Sequence, residues 1–306
     1  MSKRLVWHVG AHKCATTSLQ LALARAIPPG GDTLYIAPKD KHPIIEDLRR
    51  YVWGVQPTFD IDAIVELASS FQGNNIILSE ENLIGRMPGL SFEFYPHAHR
   101  LRQIIDQLAE KYETIVLLQS REMSRFLSSC YKFRVAHGLA SDYAAFLQSM
   151  RLDTFKWLNL GRVLFDGAKF EYSILPIEEL KNEQAVFEFC HKAVPGINIS
   201  VLPKINESAP TLLRSLSLLF SYLGRPITPV QLNMIQKHME TSGKNLRQAA
   251  SLVDIDVSTD MAKLARRMSA TQAGSSLDTL LAEYFSDDYE RFLERYCSRA
   301  ALETLG

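Results

Sequence analysis

Residues 8–19 read His8-Val9-Gly10-Ala11-His12-Lys13-Cys14-Ala15-Thr16-Thr17-Ser18-Leu19, and they join an apolar run to a helical pattern. Leu5-Val6-Trp7-His8-Val9 before them predicts a strand. Thr16 to Ile27 predicts a helix, stopped by Pro28-Pro29-Gly30-Gly31. A strand-to-helix turn aims unbonded N–H groups and the positive end of a helix dipole at one point, which suits an anion. Lys13 adds a mobile charge there, and Thr16 and Thr17 add hydroxyls. The plainer alternative is a helix start with Thr16 as N-cap and a solvated Lys13. The loop is not a Walker A sequence, since that pattern from Gly10 wants Gly and Lys where the chain has Ala15 and Thr16.

Working outward, short apolar runs alternate with helical patterns through the first half, as in an α/β fold with a mainly parallel sheet. Thr33–Ile36, Asn75–Ser79, Thr114–Leu118 and Phe170–Leu175 read as further strands. The stretches 44–52, 62–71, 97–112 and 125–133 read as helices. From about Glu178 the pattern is helical, with segments 185–194, 211–223, 229–240 and 275–296. The fold class expected is a P-loop-like parallel sheet flanked by helices, with a helical C-terminal extension. One domain is expected over 1–306, its α/β core at 1–178 and its helical part at 179–306.

Composition removes several function classes. The 306 residues hold 34 Lys+Arg against 34 Asp+Glu, so no global field draws the protein to nucleic acid or an anionic membrane, and any anion site must be local. An apolar content of 46% is that of a globular protein, not a disordered one. Cys14, Cys130, Cys190 and Cys297 form no CxxC pair and read as reduced thiols of a cytoplasmic protein, with no metal site. The N-terminal apolar run is too short for a signal peptide, and Arg214 interrupts the nearest approach to a membrane span, Leu212–Leu223.

The run His8-x-Gly10-x-His12-Lys13-x-x-Thr16-Thr17-Ser18 resembles the 5′-phosphosulfate loop of the sulfotransferase family, especially its bacterial members. The family usually has Gly where this chain has Ala15, and a β-carbon there narrows the approach of an anion if the loop needs positive φ. The resemblance implies the sulfotransferase fold and a donor, 3′-phosphoadenosine 5′-phosphosulfate. Residues Lys13, Cys14, Ala15, Thr16, Thr17 and Ser18 would hold its 5′ end, with no metal. It also implies an Arg after a strand, a Ser eight residues later and a Tyr two beyond. Arg121, Ser129 and Tyr131 match that spacing, with Ser128 an alternative to Ser129. Arg121 and Ser129 would bind the 3′-phosphate. Arg121, Arg125, Lys132 and Arg134 face only Glu122 over residues 121–134, a local basic stretch that also suits a solvated helix face.

Transfer to a hydroxyl needs a base, and Ser79-Glu80-Glu81 offers two carboxylates at a strand end. The resemblance favours Glu81. The bland alternative is two first-turn acids of a helix capped by Ser79. His12 borders Lys13 and is a further candidate for contact with the sulfate or acceptor; His8 reads as buried. His97 and His99, two apart, do not share a helix face and make a poor metal pair. Lys204-Ile205-Asn206-Glu207-Ser208 echoes an Asn-x-Ser turn of bacterial relatives. The acceptor implied is a small molecule or glycan hydroxyl, not nucleic acid. Two other readings compete. A P-loop nucleotide kinase or NTPase would use Glu80 and Glu81 around Mg²⁺, but Lys13 is displaced and the 114–118 strand runs into Gln119-Ser120-Arg121 with no Asp. A non-catalytic nucleotide-binding interaction protein would explain Ala15.

Overall fold

The computed structural model describes residues 3–139, 141–203, 211–223, 225–242, 244–263, 265 and 276–297. The expected turn at Lys204–Ser208 lies outside them. The chain divides into two compact units. The first takes Met1–Met123, Asp153–Ile205 and Phe285–Gly306; the second takes Ser124–Leu152 and Asn206–Tyr284.

The first unit is built on five parallel strands, β1 (Arg4–His8), β2 (Thr33–Ile36), β3 (Asn75–Ser79), β4 (Glu113–Ser120) and β5 (Glu171–Pro176), in the order β2-β3-β1-β4-β5. The strands are near-continuous apolar runs because both faces are covered by helices. On one face, Val6, Ile77, Ile115, Leu117 and Leu175 pack against Leu19, Ala22 and Leu23 of α1 (Thr16–Ala26) and against Val186, Phe189 and Cys190, which belong to the helix Glu183–Ala193. Alternate residues, Leu5, Trp7, Ile76, Leu78, Val116 and Leu118, are equally buried and point to the opposite face by the period of two. The helices of this unit include α2 (Pro43–Val52), α3 (Asp62–Ser70) and α4 (Ala98–Ala109). The expected α/β architecture, a parallel sheet flanked by helices followed by a largely helical chain, is the one formed.

The sheet's register fixes the site. His8 pairs with Ser79 of β3 and with Leu117 of β4, so β1 and β3 end level and β4 runs on beside them to Ser120. The segments that follow them carry Lys13, Glu81 and Arg121 respectively.

The second unit is helical, and α5 (Met123–Ala136) opens its first segment. Its core gathers Leu213, Leu216, Ile227, Leu232, Ile235, Leu246, Ala249 and Val257. Ser217 donates its hydroxyl to the Val135 carbonyl at 3.0 Å. Ser129 is buried on α5, and Tyr131 on the same helix donates to the Ser141 carbonyl at 3.1 Å. Among the described residues no helix is long and apolar enough to cross a membrane, and all four cysteines are buried thiols.

Candidate functional site

The loop from Val9 to Ala15 starts as an extension of the sheet. Val9 and Ala11 donate backbone N–H bonds to Leu117 and Gln119 at 3.1 and 3.3 Å. It then reverses through two left-handed residues, Lys13 at φ 60° and Ala15 at φ 62°. Ala15, not Thr16, is the helix N-cap, and it supplies no side-chain cap bond. Gly10 is dictated by close approach: a β-carbon there would lie 2.2 Å from Thr16 Cγ2 and 3.0 Å from His8 Nε2. The N–H groups of Cys14 and Ser18 close internal turns onto Ala11 and Ala15 at 3.3 and 3.0 Å. Among the described residues, no backbone carbonyl accepts from Ala15, Thr16 or Thr17. Those three donors, with the dipole behind them, are what a tetrahedral anion would use.

The β3 end separates the two carboxylates. Glu80 is buried, and its Oε1 accepts from the backbone N–H of Asn82 at 2.9 Å and from its amide Nδ2 at 2.6 Å. It therefore caps the short 3₁₀ turn Glu81–Leu83. Ser79 is not the cap; its hydroxyl lies 2.7 Å from His8 Nδ1. Glu81 turns the other way, and its Oε2 accepts the Thr16 hydroxyl at 2.5 Å. A carboxylate from β3 thus reaches the first residue of the loop helix.

His12 joins these pieces. Its Nε2 lies 3.1 Å from Asn82 Oδ1, and its Nδ1 lies 3.1 Å from the Tyr95 hydroxyl. Asn82 Oδ1 can only accept, so Nε2 carries the proton and the Tyr95 hydroxyl donates to Nδ1. The same hydroxyl oxygen accepts the His12 backbone N–H at 3.3 Å, clamping ring and loop together. Burial lowers the His12 pKa, while Glu81 and the Asn82 bond oppose that, so the ring is held neutral. His8 is fully buried between Ser79 and Gln119, and desolvation takes its pKa down to about 4. It belongs to the scaffold.

After β4, Arg121 Nη1 donates to the Lys13 carbonyl at 3.2 Å, which brings both expected anion-binding residues to one place. Arg121 Nε is buried, and it finds no acceptor among the described residues. Glu178 braces this turn from beneath by accepting the Glu122 N–H at 3.4 Å and the Tyr289 hydroxyl at 3.1 Å. Tyr289 also lies 3.2 Å from the Ser120 hydroxyl, and burial raises its pKa well above the ordinary value. Asn82, Tyr95, Glu178 and Tyr289 were not legible as site neighbours in the sequence. Ser129 lies in the second unit. Among the described residues no group of three His, Cys, Asp or Glu side chains is arranged to hold a metal ion.

The fold defines a parallel α/β protein whose β1 and α1 are joined by the loop that carries Lys13. No family model matches the chain, and no curated protein matches it. Among solved structures it is similar to a sulfotransferase from Alicyclobacillus acidocaldarius. That likeness covers 74% of this chain and 98% of the other at 14% identity, with a TM-score of 0.43.

Proposed function

We propose that the protein is a sulfotransferase that moves a sulfuryl group from 3′-phosphoadenosine 5′-phosphosulfate to an acceptor hydroxyl, as one functional domain in the cytoplasm. The observation that carries this reading is the convergence of Lys13, Arg121 and Glu81 at one sheet edge, through Arg121 on the Lys13 carbonyl and Thr16 on Glu81. The cradle fits an anion: three helix-start N–H groups are unspent, and Arg121 Nε is an orphaned donor. Ala15 is the feature that fits least well.

In this reading the acceptor oxygen attacks sulfur in line, and the bond from sulfur to the bridging phosphate oxygen breaks. Glu81 takes the hydroxyl proton. Charge that develops on the departing phosphate is met by Lys13, by the N–H groups of Ala15 to Thr17 and by the Thr17 hydroxyl, while the Thr16 hydroxyl is given to Glu81, so most of the acceleration is electrostatic and positional. Cys14 and Ser18 shape the loop through their turns. Arg121 holds the 3′-phosphate. Glu80 acts through Asn82 on His12 and positions that ring beside the sulfate. The acceptor class is a carbohydrate or glycolipid hydroxyl, by analogy with the family the loop resembles.

The test is transfer of labelled sulfate from this donor to acceptor pools without added Mg²⁺. Label appearing in a glycan or glycolipid fraction supports the proposal. A nucleotide-binding signal with ATP that requires Mg²⁺, and no transfer, would favour the kinase or NTPase reading.

A further inference from the structure

The 3₁₀ turn that presents Glu81 has a second neighbour, which the transfer chemistry above leaves unused. Trp53, the residue that ends α2, is half-buried and donates its indole N–H to the Asn82 carbonyl at 3.0 Å. Two guanidinium groups lie over its ring, Arg49 at 5.0 Å and Arg86 at 4.8 Å from the centroid. Both separations are within the range of cation–π attraction. Arg49 is paired with Glu46 on its own helix. Arg86 is exposed, and among the described residues no carboxylate pairs with it.

The backbone around Trp53 is held in place. Arg100 donates to the carbonyls of Tyr51 and Gln56 at 2.9 and 3.3 Å. Gly54 turns at φ 72°, and a β-carbon there would meet His97 Nε2 at 3.2 Å. Arg49, Arg86, Arg100 and His97 therefore gather beside one turn, with Glu46 and Asp47 on α2 and Glu80 and Glu81 at the 3₁₀ turn as the acids on the elements involved. A guanidinium held by an aromatic ring keeps its N–H fork available for a carboxylate or sulfate. Asn82, whose carbonyl takes the Trp53 N–H, directly follows Glu81, and consecutive Cα atoms are about 3.8 Å apart. Trp53 thus ties the Arg86 guanidinium to the turn that carries Glu81.

We infer that Trp53, Arg49 and Arg86 form an acceptor subsite for an anionic saccharide, one that carries a carboxylate or sulfate close to the hydroxyl that receives the sulfuryl group. The inference rests on the sulfotransferase reading of the Glu81 edge and adds the charge of its acceptor. It also supplies what that reading lacks, a cation to offset the repulsion between an anionic acceptor and the Glu81 carboxylate.

The experiment is calorimetric titration of the full chain, with and without adenosine 3′,5′-bisphosphate, using three matched probes. These are a glucuronate–N-acetylglucosamine disaccharide, the same sugar with its carboxyl reduced to the alcohol, and the reduced sugar bearing one sulfate ester. Expected is that at least one charged probe binds about tenfold or more tighter than the neutral one, and that added salt narrows the difference. Arg86→Gln should abolish the difference and Arg86→Lys should keep part of it, while bisphosphate affinity is unchanged in both. Equal binding of charged and neutral probes, no binding of any probe, or a preference that survives Arg86→Gln would overturn the inference. Arg86-dependent binding of a charged probe by a chain that ignores the bisphosphate would sink the donor assignment and leave the anion subsite standing.

Discussion

At Ala15 the backbone sits at φ 62°, where a β-carbon costs roughly 1 kcal/mol or more relative to glycine. Glycine would give some of that back through a freer unfolded chain, by about 0.4–1 kcal/mol. Ala15→Gly should therefore raise stability by no more than about 1 kcal/mol, seen as a higher urea midpoint at unchanged slope. It should also tighten binding of adenosine 3′,5′-bisphosphate; a lower midpoint with weaker binding would contradict a strained loop. The two neighbouring glutamates make opposite predictions. Glu81 meets Thr16, so Glu81→Gln should retain bisphosphate binding yet slow transfer by about a hundredfold or more, the size typical of a lost general base. Glu80 is spent on the Asn82 cap, and Glu80→Gln keeps an acceptor oxygen there, so it should cost far less. If the Glu80 variant is the slow one, the base has been misassigned.

Among the elements, β1 carries the pH sensitivity of the scaffold. His8 has a pKa of about 4 when folded against 6.5 as a free side chain. Between those values the unfolded chain binds the extra proton, so stability present above pH 6.5 is lost as pH falls toward 4. The loss from this one group is about 3 kcal/mol. His12 is shifted the same way by burial. Urea midpoints from pH 7 to 4.5 should fall in the native chain and fall less steeply in His8→Asn; parallel slopes would refute the assignment. The strands themselves were readable because apolar runs bounded by turn residues are a local signal, and Thr33–Ile36 and Asn75–Ser79 form with the predicted bounds. The Thr16 and Ser79 caps were not. Which residue caps depends on loop φ values and on a buried partner such as His8, and neither is written nearby. Tyr95 is 83 positions from His12 and Asn82 is 70, so that network exists only after the sheet sets β1 beside β3.

Over the whole molecule charge sums to zero, and Lys13 and Arg121, which follow the neighbouring strands β1 and β4, meet through the Lys13 carbonyl. The family resemblance could name two candidate anion-binding segments, but their meeting is a property of strand order, because β4 lies directly beside β1. The account depends on that meeting serving a nucleotide with phosphate at both its 3′ and 5′ positions. The most direct measurement is the thermal shift given by adenosine 3′,5′-bisphosphate in the absence of Mg²⁺, compared with ATP, for the native chain and for Lys13→Ala and Arg121→Ala. At a hundredfold excess over Kd the native chain should gain about 2.7 kcal/mol. ATP should give much less, and each variant should lose most of the gain. Equal stabilisation by ATP, or an undiminished gain in both variants, would contradict the account.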